Sequence, residues 1–166
     1  LEKNIFLPET DFPEEHSAAT WYYQISENYL CEPVQHYGFY LTPLQNFEKG
    51  KTVFYPHGYS NYFFHPTHPH ELIIVSTENN KVSILNCLSG EIVRTISKGK
   101  EYAFCNIDPV TGNYLFRNSY YVLITNENGD ELFRMRSEDA SPYLANNILT
   151  CWAGAAINVE PYLKKP

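Results

Sequence analysis

Three histidines within six residues, His65, His68 and His70, come nearest in type and spacing to a site of chemistry, with His57 a short way upstream. Neutral imidazole is the commonest metal ligand, and three or four together would satisfy zinc, nickel or copper. Pro66 and Pro69 punctuate the run and hold its backbone extended, as in a surface turn. No carboxylate of the His-Glu-x-x-His kind accompanies them. The segment therefore reads as a polar turn, with a metal site at His65, His68 and His70 as the alternative and a pH-sensitive contact surface as a third reading.

Other routes to catalysis lack their parts. A Ser or Cys nucleophile needs a neighbouring base, and no Gly-x-Ser-x-Gly elbow occurs. Neither a Gly-x-Gly-x-x-Gly loop nor a P-loop is present to cradle phosphate. The carboxylate pairs Glu14-Glu15 and Glu138-Asp139 sit among polar loop residues and read as solvated surface. No catalytic residue and no cofactor are expected. The cysteines Cys31, Cys87, Cys105 and Cys151 are irregularly spaced without a Cys-x-x-Cys pair, which argues against structural zinc. They could form two disulfides in three pairings, but the absence of any Asn-x-Ser/Thr sequon favours free thiols in a reducing, cytoplasmic compartment.

Aromatic residues are abundant: 14 Tyr, 10 Phe and 2 Trp. They cluster around Trp21, Tyr22, Tyr37, Tyr59, Tyr62 and Tyr120, the candidates for an exposed binding surface. Tyr and Trp give large contact area at low entropic cost, which is the usual chemistry of interface hot spots. Stacking on single-stranded nucleic acid would need Lys and Arg between the rings, whereas Gln24, Glu27, Glu32 and Glu48 stand there. The formal net charge is −7, from 19 acidic and 12 basic residues, which repels phosphate and fits a basic protein partner. No stretch approaches the roughly 20 apolar residues of a membrane helix, so no membrane association is expected. Residues 1–10 lack the pattern of a signal peptide, and Leu1 in place of a start Met implies a processed or trimmed chain.

What would position these residues is a set of short strands. Moving Phe64–Arg94 forward by forty positions produces seven identities: Phe64 with Phe104, Pro69 with Pro109, Val82 with Val122, Ile84 with Ile124, Asn86 with Asn126, Glu91 with Glu131 and Arg94 with Arg134. Chance gives about two at ordinary residue frequencies. Each copy has the same grammar. A Pro-containing turn precedes a strand (71–77; 114–117), a polar turn, a second strand (81–86; 121–125), a Gly turn and a third strand (91–96; 131–135). Asn128-Gly129 is a strong hairpin signal, and turns this short leave no room for helices. Weaker strand patterns cover 20–25, 37–42, 52–55, 147–152 and 155–159.

The units 64–96 and 104–136 resemble blades of WD-type β-propellers, whose repeat runs about 40–45 residues with four strands per blade. Leu85-Asn86 and Thr125-Asn126 stand where that family has Trp-Asp, and its Gly-His element has no counterpart. The expected fold is all-β: antiparallel meanders of about forty residues, forming a small or partial β-propeller-like domain. A β-sandwich or barrel is the alternative. An N-terminal arm over 1–15 and a single β-rich domain over 16–166 complete the expected organisation. The expected function is a non-catalytic protein-binding module, in its most concrete form a small acidic inhibitor or immunity protein covering a basic toxin or nuclease. The competing readings are a scaffold fragment of a larger propeller protein, and a metal-dependent enzyme using His57, His65, His68 and His70.

Overall fold

The computed structural model describes residues 24–34, 38–45, 52–56, 60–137, 141–151 and 154–164. By contacts the chain divides into two compact units, 1–58 and 59–166, described separately below. The expected arm over 1–15 lies outside the described residues.

In the first unit, β1 (Gln24–Ile25), β2 (Tyr29–Val34), β3 (Gly38–Pro43) and β4 (Val53–Pro56) form an antiparallel meander in that order. Among its described residues Tyr29, Leu30, Cys31, Phe39 and Leu41 are the buried apolar side chains, and the Phe39 ring stacks on Tyr55 at 5.1 Å between centroids. Such pairs across adjacent strands are the unit of sheet stabilisation.

The second unit contains three successive meanders. The first is β5 (Ser60–Phe64), β6 (Glu71–Ser76), β7 (Val82–Asn86) and β8 (Ile92–Ile96). Next come β9 (Ala103–Ile107), β10 (Tyr114–Arg117), β11 (Tyr121–Thr125) and β12 (Glu131–Arg136). The last has three described strands, β13 (Tyr143–Ala145), β14 (Ile148–Thr150) and β15 (Ala156–Asn158).

Side-chain alternation explains why the sheets stack. Along β10, Tyr114 and Phe116 face the first meander, where Ile73, Val75, Val82 and Ile84 meet them. Leu115, between them in sequence, points the other way, onto Leu144, Leu149 and Val159. The middle sheet is thus buried on both faces, which is why β10 and β11 read as near-continuous apolar runs. Packing of whole sheets in sequence, rather than two sheets facing each other, excludes the sandwich alternative for this unit.

The repeat has a structural cause at its turns. Asn86 Oδ1 accepts the backbone N–H groups of Leu88 (2.9 Å) and Ser89 (3.1 Å), and Asn126 Oδ1 accepts those of Asn128 (3.0 Å) and Asp130 (2.8 Å). Each Asn caps the turn into the last strand of its meander. Gly129 has φ +84°, and a Cβ there would meet Ile96 Cγ2 at 3.1 Å. Only glycine satisfies both demands without movement.

The forty-residue offset holds strictly only from β7 to β11. There the bulges coincide, between Ile84 and Leu85 in one and Ile124 and Thr125 in the other. Leu72 lies opposite Leu85, and Tyr114 opposite Thr125, so β6 and β10 correspond at an offset of forty-two. Ile96 and Met135 face Val82 and Val122, so β8 and β12 correspond at thirty-nine. Turn lengths absorb the differences. The first strand of each meander, β5 and β9, was legible only as an approach to the Pro turn, and β2 and β13 were not expected at all.

Candidate functional site

The histidine turn folds so that His65, His68 and Glu71 bring their ligand-type atoms within 4.8 Å of one another. His70 is not part of this group, which corrects the sequence expectation. The reason lies in the backbone: Glu71 N–H donates to His68 O at 3.0 Å, closing a β-turn with Pro69 and His70 at its tip. Positions His68 and Glu71 are thereby drawn together. His57 lies outside the described residues.

His65 is buried, with 4% of its surface exposed. Its Nδ1 accepts from the Thr67 backbone N–H at 3.3 Å and from the Thr67 hydroxyl at 3.2 Å. That leaves the proton on Nε2, which donates to the Tyr114 hydroxyl of the next meander at 3.2 Å. Burial, with the neighbouring charges of His68 and Arg94 adding to it, lowers the His65 pKa to about 4, so the ring is neutral at pH 7. Burial raises the Tyr114 pKa.

Around this histidine runs an ion-pair chain. Arg94 Nη2 donates to Glu71 Oε2 at 2.5 Å, and Nη1 to Glu127 Oε2 at 3.0 Å. His68 Nε2 lies 3.5 Å from the same Glu127 oxygen. Arg94 on β8 therefore links β6 of its own meander to the β11–β12 turn of the next. The Arg94 Nε–H is buried without an acceptor among the described residues. The Lys98 ammonium reaches the Gly129 carbonyl across the same junction. Both imidazole nitrogens of His65 and the Glu71 carboxylate are thus engaged by protein groups. Arg94→Ala should cost the second unit about 1–2 kcal/mol in urea unfolding, because two carboxylates lose their shared cation in a partly buried setting. Glu127→Gln, at a more exposed position, should cost under about 1 kcal/mol.

Asp108, immediately after β9, occupies the place that His65 holds after β5. Each backbone N–H donates to the start of the second strand: Asp108 N–H to Asn113 O, just before β10, at 2.8 Å, and His65 N–H to Glu71 O, at the first residue of β6, at 2.9 Å. The Asp108 carboxylate is fully buried. Burial pushes its pKa upward, but hydrogen bonds from the N–H groups of Asn147, Val110 and Asn146 outweigh this and hold it below the ordinary value. By sequence this residue falls in the Pro109-containing turn before the 114–117 strand. An Asp at the head of Asp-Pro-Val-Thr-Gly signals a side-chain-capped turn, but not that its second oxygen would serve another meander.

The aromatic candidates divide. Tyr62 is 5% exposed and belongs to the buried layer, a correction that follows from its place on the inward pleat of β5, opposite Ile74. Tyr120 is 61% exposed on the β10–β11 turn, where Asn118 Oδ1 accepts the N–H groups of Tyr120 (2.8 Å) and Tyr121 (2.7 Å). Trp21, Tyr22, Tyr37 and Tyr59 lie outside the described residues. The cysteines are not joined to one another, and burial raises the Cys87 thiol pKa to about 12 and that of Cys105 to about 11. Both are inert as nucleophiles at neutral pH.

No protein-family model matches the sequence, and no curated protein matches it as a relative. Solved structures do match. The WD40 domain of Toxoplasma gondii coronin superposes with a TM-score of 0.58 at 13% identity, over 78% of this chain and 39% of that one. BamB from Moraxella catarrhalis gives 0.54 at 17% identity, over 76% of this chain and 38% of that one. The fold is β-propeller-like. Each meander is a blade, with β5, β9 and β13 the first strands of successive blades. A protein of unknown function from Bacteroides caccae also matches, with a TM-score of 0.50 at 13% identity over 86% of this chain and 58% of that one. The chain spans well under half the length of the BamB and coronin chains. Among the described residues, no helix is long and apolar enough to cross a membrane.

Proposed function

We propose that this chain is a non-catalytic protein-binding module that uses an acidic, tyrosine-bearing surface to engage a basic partner. The observation that carries the reading is the contrast between its two kinds of polar group. The residues with chemical potential, His65, Glu71 and Asp108, are spent on internal bonds between strands and blades. Tyr120, in contrast, stands out from a turn whose backbone is pinned by Asn118. A rigidly mounted exposed ring loses little entropy on binding. The charge of −7 supplies long-range attraction for a basic surface. The most concrete form is a small acidic inhibitor or immunity protein that covers a basic toxin or nuclease.

A scaffold segment of a larger propeller protein is the second reading, favoured by a chain that covers only 39% of the coronin chain and 38% of BamB. Affinity capture from native extract separates the outcomes. A basic protein held at low salt and released at high salt supports the binding reading, and blocking that protein's activity supports the inhibitor form. Tyr120→Ala should weaken capture about tenfold or more with an unchanged urea midpoint. Turnover of a small molecule with no protein captured would overturn the proposal.

A further inference from the structure

Between the first strands of three successive blades lies an open groove of about 200 Å³, lined by Phe63, Pro66, Phe104, Asn106, Ile107 and Tyr143 among others. We infer that this groove receives one bulky apolar side chain from a Lys- or Arg-bearing segment of a protein partner. This rests on the binding-module reading and specifies where and how it binds.

Size limits the occupant first. Small-molecule sites commonly enclose about 300–1,000 Å³, so this groove is closer to the scale of a single side chain. Its wall then limits the polarity. The one amide in it is fully spent: Asn106 Nδ2 donates to Leu144 O at 2.8 Å and to Ile107 O at 3.1 Å, and Oδ1 accepts from Leu144 N–H at 3.1 Å. A polar ligand group entering here would lose water without gaining a partner from that side chain. The rings, by contrast, are available. Phe63 is 39% and Tyr143 52% exposed, and Phe63 already lies 6.1 Å from Phe104, centroid to centroid. An inserted Phe or Leu would complete a ring-lined pocket on a rigid sheet, the usual form of a hot-spot anchor.

Charge sets the flanks. Pro66, on the groove wall, belongs to the turn beside the ion-pair chain in which Glu71 and Glu127 are held by Arg94 and approached by His68, with Lys98 across the same junction, so the flanking charge comes from the chain as a whole. The overall charge of −7 favours basic residues on either side of the anchor.

The test uses the full chain and three labelled peptides followed by fluorescence anisotropy. One peptide carries a single Phe between Lys pairs, a second has Ala for Phe, and a third has Glu for Lys. The first should bind at least tenfold more tightly than either of the others. Phe63→Ala and Tyr143→Ala should each weaken the Phe peptide about five- to tenfold, with urea midpoints unchanged because both rings are partly exposed. Equal binding of the Phe and Ala peptides would overturn the inference. So would a dimer, seen by light scattering, that Phe63→Ala dissociates, since a second copy would then cover the groove. If both variants still capture the basic partner from extract as the unaltered chain does, the groove assignment falls while the binding-module reading stands.

Discussion

Asp108→Ala should destabilise the second unit by about 3–4 kcal/mol, the largest loss expected from any single polar substitution here. The carboxylate joins two blades. Oδ1 accepts from Val110 N–H at 2.9 Å and from Asn146 N–H at 2.8 Å, while Oδ2 accepts from Asn147 N–H at 2.8 Å. Asn146 and Asn147 both adopt left-handed backbone, with φ of 50° and 58°, as the two-residue hairpin between β13 and β14 requires. Asp108 therefore holds the turn that sets the register of the next blade. Hydrogen bonds to a charged group are worth about 1.5–3 kcal/mol each, and amides left buried without an acceptor carry the full desolvation cost. Partial recovery by water keeps the total below their sum. Asp108→Asn offers no relief, because its NH2 would face one of the same N–H donors. Urea unfolding at pH 7 checks this, and a loss under about 1 kcal/mol would refute the blade-joining role. Because the folded pKa is depressed, the stabilisation is present above the unfolded value and declines as pH falls through the folded one.

Acid should weaken the fold well before that, through His65. In the unfolded chain this imidazole takes a proton near 6.5, whereas in the folded chain it does so only near 4. Protonation of the unfolded state thus begins first as pH falls. Stability is complete above about 6.5, declines between 6.5 and 4, and levels off below that. The gap of about 2.5 pH units corresponds to about 3 kcal/mol. His65→Gln, which can still accept from Thr67 or donate to Tyr114 but does not titrate, isolates this contribution. The variant should be the less stable protein at pH 7.5, and the difference should shrink steadily towards pH 4.5. Carboxylate titration cancels in that comparison. A difference independent of pH would show that His65 is already exposed to solvent in the folded chain.

Both groups act through the same device. A polar residue placed directly after the first strand of a blade reaches into the next blade, as an imidazole to Tyr114 in one case and a carboxylate to Asn146 and Asn147 in the other. Stability between blades therefore depends on buried polar bonds as well as on apolar layers, and pH acts on the junctions in two separate ranges.

Local rules carried much of this into the sequence. Val82, Ile84 and Asn86 repeat as Val122, Ile124 and Asn126 because β7 and β11 do the same work, with an apolar pair facing the following blade and an Asn capping the turn. Strand type and turn chemistry depend on residues within a few positions of one another, so the all-β, repeated architecture was readable without coordinates. The identity of Phe64 with Phe104 was less informative. In register it is Tyr62, opposite Ile74, that corresponds to Phe104, opposite Phe116, because turns of unequal length intervene.

The polar sites were decided by tertiary structure. Spacing alone grouped His65, His68 and His70, but a turn folding Glu71 back onto His68, and Arg94 arriving from β8, chose a different set. Nothing near Asp108 in the chain announces a hairpin thirty-eight residues on. Nor could alternation alone show that Tyr62 would be buried and Tyr120 exposed, since that depends on which face of each strand a neighbouring blade covers. Secondary structure follows from short-range sterics and hydrogen bonding. Burial, pKa and ion pairing follow from what long-range packing removes from water, and that is fixed only once the blades are stacked.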